Sequence, residues 1–509
     1  MWIVNRPNFS LLLKTDYIIF SIGGVLLSAA HPPLSIPYVT VLVLASIGQY
    51  WHRKKPNQGE SFICGWLFGL GYFSFSLIWI IEPFLVKPHE TAIFAPFALI
   101  LLTASLSIFW GLAFWGASLK NDYGSKFWSL VQLAAFLSLA ELLRSFMFSG
   151  FPWVILGIAF VDTSLGQNLS LFGPYWLTSL IIFLSFISLS GFRGVLISLI
   201  GFMALFFYGE SRFKDIENLE PAVKVRVVQP NIDQRLKWKP ELSALHLEKL
   251  FDLSTNNLEL VDLVIWPETA IQLFLENQED FSHQVSEEIG KPIILGARKY
   301  VRERHELFNS AYVLDHLGQI RNSYDKKHLV PFGEYVPFSS LLSKIGVKMF
   351  TSNGISGFTV GQRQSQMRAG GKIPPFTIMI CYESIFSYEV DESTLGVDWL
   401  IHLTNDAWFG SYSGPQQHLM HSQARAIEQG LPLIRSANTG ISVLIDPYGR
   451  IIRRLDLNVE GHFDVDLSKK LDFTIYSIWG AKNWNGLLFS FIVSIIFLCL
   501  KKTRNRVNI

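Results

Sequence analysis

Apolar positions are unevenly distributed along this chain of 509 residues. Long apolar runs fill most of the sequence before about residue 210 and return near residues 485–500, whereas the stretch between them has ordinary globular composition. A hydrocarbon core about 30 Å thick needs roughly 20 apolar residues per helix. The runs therefore predict about eight membrane-spanning helices, near 15–31, 35–51, 61–82, 91–118, 127–148, 167–190, 193–209 and 484–500.

Basic residues are concentrated in every second loop between these predicted spans. They occur at 52–55 after the second span, at Lys120 and Lys126 after the fourth, at Arg193 after the sixth, and at 501–506 after the eighth. Loops rich in Lys and Arg stay on the cytoplasmic side of a membrane. Both termini are therefore predicted to be cytoplasmic, and the polar stretch between the seventh and eighth spans is predicted to lie on the outer side.

That polar stretch changes to short apolar strands and helical spacing. Strands are predicted over 223–228, 263–266, 293–296, 310–314, 320–324, 376–380 and 399–403, with a helix over 246–260. The strands 310–314 and 320–324 are expected to pair across a turn at 315–318. Strands that alternate with helices are typical of an α/β layered domain, so we predict a membrane protein that carries one soluble domain.

Composition agrees with this division and excludes several classes of protein. Charged residues make up 17% of the chain, against about 25% in soluble domains. The net charge of +2 is close to neutral and predicts no nucleic-acid partner. Of the three cysteines, Cys64 and Cys499 lie in apolar runs, so neither a disulfide framework nor a zinc site is expected. We predict no metal and no cofactor.

Cys381 is the cysteine in the soluble stretch, just after a predicted strand. It fits either a buried small hydrophobe or a nucleophile, and a thiol is a competent nucleophile only when a base or a positive charge favours the thiolate. Glu268 and Lys326 follow other predicted strands and could supply both. Taken singly, Glu268 also fits an acid at a helix N-terminus and Lys326 a solvated lysine. Their joint occurrence at strand ends favours a catalytic site.

The order glutamate, lysine, cysteine resembles the triad of the nitrilase superfamily, whose domain is an α-β-β-α sandwich. Longer motifs are similar to those of the bacterial apolipoprotein N-acyltransferase family, and the resemblance covers nearly the whole chain. These motifs are 229–232 with Trp238, then 266–269, 326–337, 380–383, 404–410, 414–418 and 437–442. The resemblance implies a helical membrane part over 1–218, a periplasmic nitrilase-like catalytic domain over 219–474, and a last span with a basic cytoplasmic tail over 475–509, in the bacterial inner membrane.

The resemblance also implies an activity and a set of site residues. Cys381 would accept an acyl chain from a phospholipid as a thioester and pass it to the α-amino group of the diacylglyceryl-modified N-terminal cysteine of an apolipoprotein. Glu268 would be the general base and Lys326 the oxyanion donor. The support and substrate-binding residues implied are Trp238, Glu334, Tyr382, Glu383 and Trp408. For the two tryptophans, plain core packing is an open alternative.

Two other functions compete with acyl transfer. In a membrane-tethered amidase or nitrilase, water rather than an amine would resolve the thioester. A transporter or scaffold with a decayed domain is disfavoured by the intact triad and by the scarcity of intramembrane charge. We expect a monomer. Apolar residues in polar loops, at 274–275, 341–342, 345 and 349–350, are predicted to form membrane-dipping arms beside the site.

Overall fold

The computed structural model describes residues 15–119, 124–215, 220, 222–275, 279–337, 357–362 and 366–507. Its α-helices are α1 Thr15–Ser28, α2 Val39–Lys54, α3 Gln58–Ser76, α4 Pro88–Thr91, α5 Ala95–Ser118, α6 Lys126–Arg144, α7 Leu169–Ile187, α8 Phe192–Arg212, α9 Ser243–Thr255, α10 Glu279–Gln284, α11 Ser387–Ser393, α12 Gly414–Gln429, α13 Ile475–Trp479 and α14 Ala481–Val507. Its strands are β1 Lys224–Gln229, β2 Leu263–Ile265, β3 Ile293–Val301, β4 Glu306–Leu314, β5 Ile320–Asp325, β6 Phe376–Ile380, β7 Trp399–Thr404, β8 Leu433–Ala437, β9 Ser442–Ile445, β10 Ile451–Leu455 and β11 Gly461–Asp466.

The chain divides into two compact units. The helical unit comprises the described residues within Met1–Phe160, Pro174–Tyr208 and Trp484–Ile509. The α/β unit comprises those within Val161–Gly173 and Gly209–Asn483. The division separates the apolar runs from most of the polar stretch, as the hydropathy pattern predicts.

Every predicted span corresponds to a helix, but not every helix is long enough to cross a membrane. Five helices of the described chain are sufficiently long and apolar: Pro88–Ser118, Lys126–Arg144, Ser164–Ile187, Phe192–Arg212 and Ala481–Lys502. A sixth is obtained if Gln58–Ser76 and Ile78–Leu85, bent by 47°, are counted as one span. The described part of α1 has 14 residues and α2 has 16, fewer than the roughly 20 that a span needs. The count of eight spans therefore stays a prediction.

A buried ion pair anchors a loop within the helical unit. On α6 the Arg144 guanidinium contacts Glu141 through Nε–Oε1 and Nη2–Oε2 distances of 2.7 Å each. Arg144 Nη1 also donates to the carbonyl oxygens of Phe151 and Trp153 at 2.8 and 3.0 Å. A buried charge is tolerated where a partner and hydrogen bonds compensate for lost hydration, and here the compensation fixes the chain that follows α6.

The α/β unit contains two sheets. One has six strands in the order β11-β1-β2-β3-β4-β5, and the other has five in the order β10-β9-β8-β7-β6. The pairs β1–β2, β2–β3, β6–β7 and β7–β8 are parallel. Parallel strands are buried on both faces and consist of near-continuous apolar residues, which is the character of Leu263–Ile265 and Phe376–Ile380. Their carboxyl ends bring the residues that follow them to one edge of each sheet.

Helices cover the outer face of each sheet, and the sheets pack against each other. Leu250, Phe251 and Phe281 of α9 and α10 share a core with strands β2 to β4. Val390 of α11 and residues of α12 share a second core with β7, β8 and β9. Between the sheets, the Ser436 hydroxyl of β8 donates to the β1 carbonyl of Val228 at 3.1 Å. The order of layers is helix, sheet, sheet, helix, which confirms the predicted sandwich.

The predicted elements of this unit agree with the structure up to β7, with three differences. The strand predicted over 310–314 begins earlier, at Glu306. The helix predicted over 246–260 begins at Ser243 and ends at Thr255, and a separate turn of 3-10 helix covers Leu258–Leu260. The strand predicted over 293–296 continues to Val301 because it pairs with β4 along its length. The strands β8 to β11 were not predicted individually.

Candidate active site

Glu268 lies in a turn just past the carboxyl end of β2, and this turn rests directly on β3. The Gly296 N–H donates to the Pro267 carbonyl at 3.1 Å, and the Ala270 N–H donates to the Gly296 carbonyl at 2.8 Å. A Cβ at Gly296 would lie 2.6 Å from the Glu268 Cα and 2.5 Å from the Thr269 nitrogen, closer than real Cβ contacts occur. Because Gly296 has no side chain, the turn can lie this close to β3, and this contact sets the position of the Glu268 carboxyl.

The buried side chains of Glu268, Asn309 and Lys326 and the half-buried side chain of Glu334 form what we call the carboxylate–lysine cluster. The Lys326 ammonium lies 2.9 Å from Glu334 Oε2 and 3.8 Å from Glu268 Oε1. Asn309 Nδ2 donates to Glu268 Oε1 at 2.8 Å and to Glu334 Oε1 at 3.0 Å. The Lys326 N–H donates to the Asn309 carbonyl at 2.8 Å, which fixes the start of the lysine side chain. The ammonium is thereby held between two carboxylates.

Cys381 begins a turn of 3-10 helix immediately after β6, and its side chain is buried. Its φ of 50° lies in the left-handed region, which few residues other than glycine adopt. The thiol is near enough to Lys326 and Glu268 for both charges to act on its ionisation, and the Thr404 side chain is hydrogen-bonded to it. The structure thus brings together the three residues on which the sequence prediction depends.

Burial and neighbouring charges shift the ionisation of all three groups. Burial raises the pKa of the Glu268 carboxyl, and Lys326 offsets this only in part. Burial alone would lower the pKa of the Lys326 ammonium, but Glu334 and Glu268 outweigh it and raise the pKa. Burial and the Glu268 charge raise the pKa of the Cys381 thiol, against the effect of Lys326. Near neutral pH the thiol is therefore protonated, the lysine is charged, and Glu268 is a stronger base than an exposed carboxylate.

Glu383 joins the ends of two strands through one buried carboxylate. Its Oε1 accepts hydrogen bonds from the Tyr324 hydroxyl at 2.6 Å, the Lys327 N–H at 2.8 Å and the His328 N–H at 3.2 Å. Its Oε2 accepts the Ile380 N–H at 2.7 Å. These donors lie at the carboxyl ends of β5 and β6. Glu383 therefore fixes the position of the lysine that follows β5 relative to the cysteine that follows β6.

The aromatic residues predicted at the site have different surroundings. Tyr382 is buried, with its ring 5.1 Å from that of Phe386. Trp238 is half-buried, and the Arg298 guanidinium stacks on its indole at 4.4 Å. Trp408 is half-buried and has no hydrogen bond or ring contact with any described residue. Neither indole has a described contact with the carboxylate–lysine cluster, so a role in substrate binding stays a prediction for both.

Sequence analysis missed two residues that act on Glu268. Asn309 lies inside strand β4, where an amide has no distinguishing pattern. Lys237 is buried, and its ammonium lies 3.3 Å from the Glu268 carbonyl oxygen. Burial lowers the pKa of Lys237 to about 8, although the Glu268 charge opposes the shift. The sequence feature that could have identified Lys237 is its position next to Trp238, which belongs to one of the motifs.

A second group of buried residues, His402, Asp406, His418 and Arg435, contacts the backbone of Cys381 and is called the histidine cluster. His402 Nε2 and His418 Nε2 lie 3.0 and 3.1 Å from the Cys381 carbonyl oxygen. Asp406 Oδ1 lies 2.9 Å from His418 Nδ1, and Asp406 Oδ2 lies 2.7 Å from Arg435 Nη2. In the described part of the chain, no three His, Cys, Asp or Glu side chains are grouped to hold a metal ion.

The predicted membrane-dipping arms are only partly described. Phe274 is 37% exposed, as an arm requires, whereas Leu275 is 4% exposed and packs into the core of the larger sheet. The prediction is therefore wrong for Leu275, because its side chain faces inward from a turn that rests on the sheet. The second predicted arm, at 341–342, 345 and 349–350, lies outside the described residues.

Family models match both parts of the chain. A model described as carbon-nitrogen hydrolase matches residues 224–474, and one described as apolipoprotein N-acyltransferase N-terminal domain matches residues 23–187. Among solved structures, an amidase of the nitrilase superfamily from Nesterenkonia AN1 aligns with 52% of this chain and 93% of its own, with 15% identity and a TM-score of 0.37. The match over 224–474 defines the class: the α/β unit contains a nitrilase-like carbon-nitrogen hydrolase domain.

Relatives that align with most of the chain narrow this class to one family. The apolipoprotein N-acyltransferase of Rhodopseudomonas palustris is 36% identical over 455 residues, which cover 83% of each chain. That of Allorhizobium ampelinum is 37% identical over 422 residues, which cover 79% of each chain. The chain belongs to the apolipoprotein N-acyltransferase family, which confirms the resemblance carried by its motifs.

Proposed function

We propose that this protein is an N-acyltransferase that moves a fatty acyl chain from a phospholipid to the α-amino group of the diacylglyceryl-modified N-terminal cysteine of an apolipoprotein. This is the last step of lipoprotein maturation. Family membership supports the choice of substrates. The observation that carries the chemistry is the Lys326 ammonium, 3.8 Å from the Glu268 carboxylate and beside the Cys381 thiol. A base, a cation and a nucleophile are thus available at one point.

In the first half of the reaction, the thiol attacks the phospholipid ester. Glu268 removes the proton from the Cys381 thiol as sulfur forms a bond to the ester carbonyl carbon. The carbonyl oxygen becomes an oxyanion, which the Lys326 ammonium stabilises. When the carbon–oxygen bond to glycerol breaks, the leaving alkoxide takes the proton from Glu268. A lysophospholipid departs and the acyl chain remains on Cys381 as a thioester.

In the second half, the lipoprotein amine attacks the thioester. Glu268 accepts a proton from the amine nitrogen as this atom bonds to the thioester carbonyl carbon, and Lys326 again faces the oxyanion. The carbon–sulfur bond then breaks, and the leaving sulfur takes the proton from Glu268. The products are an amide on the lipoprotein and a free Cys381 thiol. A base whose pKa lies above the usual carboxyl range suits both proton transfers.

The residues around the triad are assigned supporting roles. Glu334 orients Lys326, as the contact of 2.9 Å suggests. Glu383 fixes the strand ends, and Tyr382 forms the buried wall next to the nucleophile. Trp238 is proposed to contact substrate beside Arg298. Trp408, whose indole is half-buried, is proposed to line the substrate pocket.

The proposed location is the inner membrane of a bacterium, with the catalytic domain in the periplasm and both termini in the cytoplasm. The basic loops support this orientation, and apolar helices support a membrane-embedded part. We propose domain limits of 1–218, 219–474 and 475–509, and the matches over 23–187 and 224–474 support the first two. A monomer is expected, and the mass of the detergent-solubilised protein measured by light scattering tests it.

Mass spectrometry of the purified full chain tests the chemistry. After incubation with phospholipid, the peptide that contains Cys381 is expected to gain the mass of one acyl chain. A Cys381→Ala variant should gain none, whereas Cys64→Ala, altered at a buried cysteine of α3, should still be acylated. Addition of a diacylated lipopeptide should discharge the adduct as N-acyl product. Release of free fatty acid alone would identify a hydrolase, and lack of an adduct on Cys381 would refute the proposed intermediate.

A further inference from the structure

The backbone of the nucleophile is held in an unfavourable conformation. Cys381 has a φ of 50° at the junction between β6 and the following helical turn. A residue with a Cβ in the left-handed region is strained, and such strain persists only where the surroundings over-determine it. The carboxylate of Glu383 fixes the Ile380 N–H, on the near side of this junction. On the other side of the junction, the histidine cluster contacts the Cys381 carbonyl oxygen.

His402 donates a hydrogen bond to the Cys381 carbonyl, as its other partners show. Its Nδ1 lies 2.8 Å from the Ser422 hydroxyl and accepts from Arg435 Nε at 3.3 Å. A neutral imidazole that accepts at Nδ1 carries its proton on Nε2, which is 3.0 Å from the Cys381 carbonyl oxygen. Burial lowers the pKa of His402 well below its usual value, in keeping with the neutral form. The donor to the carbonyl is therefore fixed.

His418 closes the other side of the same carbonyl. Asp406 is paired with Arg435 and can only accept hydrogen bonds, so His418 Nδ1 donates to it at 2.9 Å. The neutral imidazole then carries no proton on Nε2, so this atom accepts from the Ser384 hydroxyl at 3.0 Å and lies in contact with the Cys381 carbonyl oxygen at 3.1 Å without donating to it. His402 comes from β7 and His418 from α12. The carbonyl is thus enclosed by two elements that the core of the smaller sheet holds in place.

We propose that His402 and His418 are positioning residues for acyl transfer: His402 holds the Cys381 carbonyl through a hydrogen bond, His418 limits the movement of this carbonyl by contact, and Asp406 with Arg435 orients His418. This inference rests on the proposed function of Cys381 as the nucleophile. In a trans peptide the C=O and the next N–H point in opposite directions. Fixing the Cys381 carbonyl therefore also fixes the direction of the Tyr382 N–H, which points away from the histidines. If the Cys381 backbone moves so that a group at the reacting centre is misplaced by about 1 Å, the rate of the reaction falls by about 10²-fold.

Two substitutions at position 402 separate positioning from packing. His402→Leu removes the donor, and His402→Gln retains an N–H donor at similar reach. His316→Gln, in an exposed turn of the same unit, is the matched control. The rate of acyl-enzyme formation is measured per active site, with the number of sites taken from the amplitude of the lysophospholipid burst. The rate of Cys381 alkylation by iodoacetamide is measured on the same preparations.

If the proposal is correct, His402→Leu lowers the acylation rate per site by about 10²-fold and leaves the KM for phospholipid unchanged. Alkylation, which forms no oxyanion, slows less than acylation. His402→Gln recovers most of the rate, and His316→Gln matches the parent protein. A merely structural role would lower the burst amplitude and leave the rate per site intact, and that result would overturn the proposal.

A second variant keeps the test decisive if His402→Leu does not fold. His418→Asn shortens the side chain so that it withdraws from the Cys381 carbonyl while an amide still faces Asp406, and it should also slow acylation per site. Unchanged acylation per site in both His402→Gln and His418→Asn, with His402→Leu unfolded, would likewise overturn the proposal. Failure of the parent protein to form an acyl adduct on Cys381 would instead refute the proposed function, and the alkylation rates would still decide whether the histidines position the thiol.

Discussion

The carboxylate–lysine cluster and the histidine cluster both reach Cys381, one near its thiol and the other at its carbonyl, but they balance charge differently. In the first, one ammonium faces the carboxylates of Glu268 and Glu334, and Asn309 Oδ1 has no hydrogen-bond partner among the described residues. In the second, Asp406 pairs with Arg435, and both side chains are completely buried. Burial raises the pKa of Glu268, whereas Arg435 and His418 hold the pKa of Asp406 low despite its burial.

This difference means that the Glu268 carboxylate can exchange a proton, whereas the Asp406 carboxylate only fixes the structure around it. A carboxylate whose pKa is raised by burial, as that of Glu268 is, accepts a proton more readily than an exposed carboxylate. A carboxylate that is fully paired and hydrogen-bonded does not, and it makes the surrounding chain rigid. The same residue type is therefore used as a base in one cluster and as a fixed acceptor in the other.

Glu268→Gln should have the largest effect on activity, because it removes the proton acceptor and keeps the shape of the side chain. We expect acyl-enzyme formation to fall by about 10²–10⁴-fold, with little change in melting temperature. Single-turnover mass spectrometry measures the rate. Glu259→Gln, at an exposed carboxylate of the same unit, should behave like the parent protein. A Glu268→Gln variant with parental rate would show that the base lies elsewhere.

Arg435→Met should have the opposite profile, with loss of stability as its first effect. Removing one partner of a buried ion pair lowers the free energy of unfolding by about 3–5 kcal/mol, since Asp406 stays buried without its main partner. Thermal denaturation in detergent measures the change. Arg453→Met, at an exposed position of β10, is the control. A melting temperature equal to that of the parent would contradict the structural role assigned to this pair.

Glu383→Gln tests a carboxylate outside both clusters, which lies near the first cluster but has its hydrogen bonds satisfied, like Asp406 of the second. The amide can accept at one end only, so at least one of the four N–H and O–H donors now bound to Glu383 loses its acceptor. We expect the free energy of unfolding to fall by about 1–3 kcal/mol and kcat to fall with it. Parallel measurement of kcat and melting temperature checks this, and a loss of kcat at unchanged stability would place Glu383 among the proton-exchanging groups.

Lys237→Met should give the smallest effect, a shift of the pH profile. The Lys237 charge lowers the pKa of Glu268, so its removal raises that pKa. The base works only when deprotonated, and the acidic limb of kcat/KM therefore moves to higher pH, by less than about one unit. The pH dependence of acyl-enzyme formation measures this, with the exposed Lys239→Met as control. A shift to lower pH would contradict the assigned sign.

Much of the site could be predicted because it follows contiguous apolar strands. The segment Phe376–Ile380 has the composition of a buried parallel strand, and Cys381 comes directly after it. Glu268 follows the apolar strand β2 in the same way, whereas Lys326 follows β5, a mostly polar edge strand predicted from its pairing with β4 across a turn. Pairing of the strands then brings these three positions to neighbouring edges, an arrangement that depends on topology rather than on any one side chain.

The histidine cluster could not be predicted as a unit because its members are distant in sequence and lie in elements with mixed patterns. Arg435 is fully buried inside β8, where a charged residue interrupts the apolar pattern that identifies a strand. His418 lies on α12, whose buried face is rich in polar residues. In both cases tertiary hydrogen bonds satisfy the polar groups, and such bonds leave no periodic trace. The prediction of eight spans is not confirmed for a different reason: the apolar composition of residues 15–51 does not determine how long the helices there are.

Gly296 lies in the strand beside the base and belongs to neither cluster. Any substitution there would push on the peptide that carries Glu268, at a distance of 2.5–2.7 Å from its backbone atoms. Random mutagenesis of this chain should therefore recover inactive variants at position 296 that express and insert normally. A screen based on activity alone would assign such a position to the chemistry, although a glycine has no side chain with which to perform it.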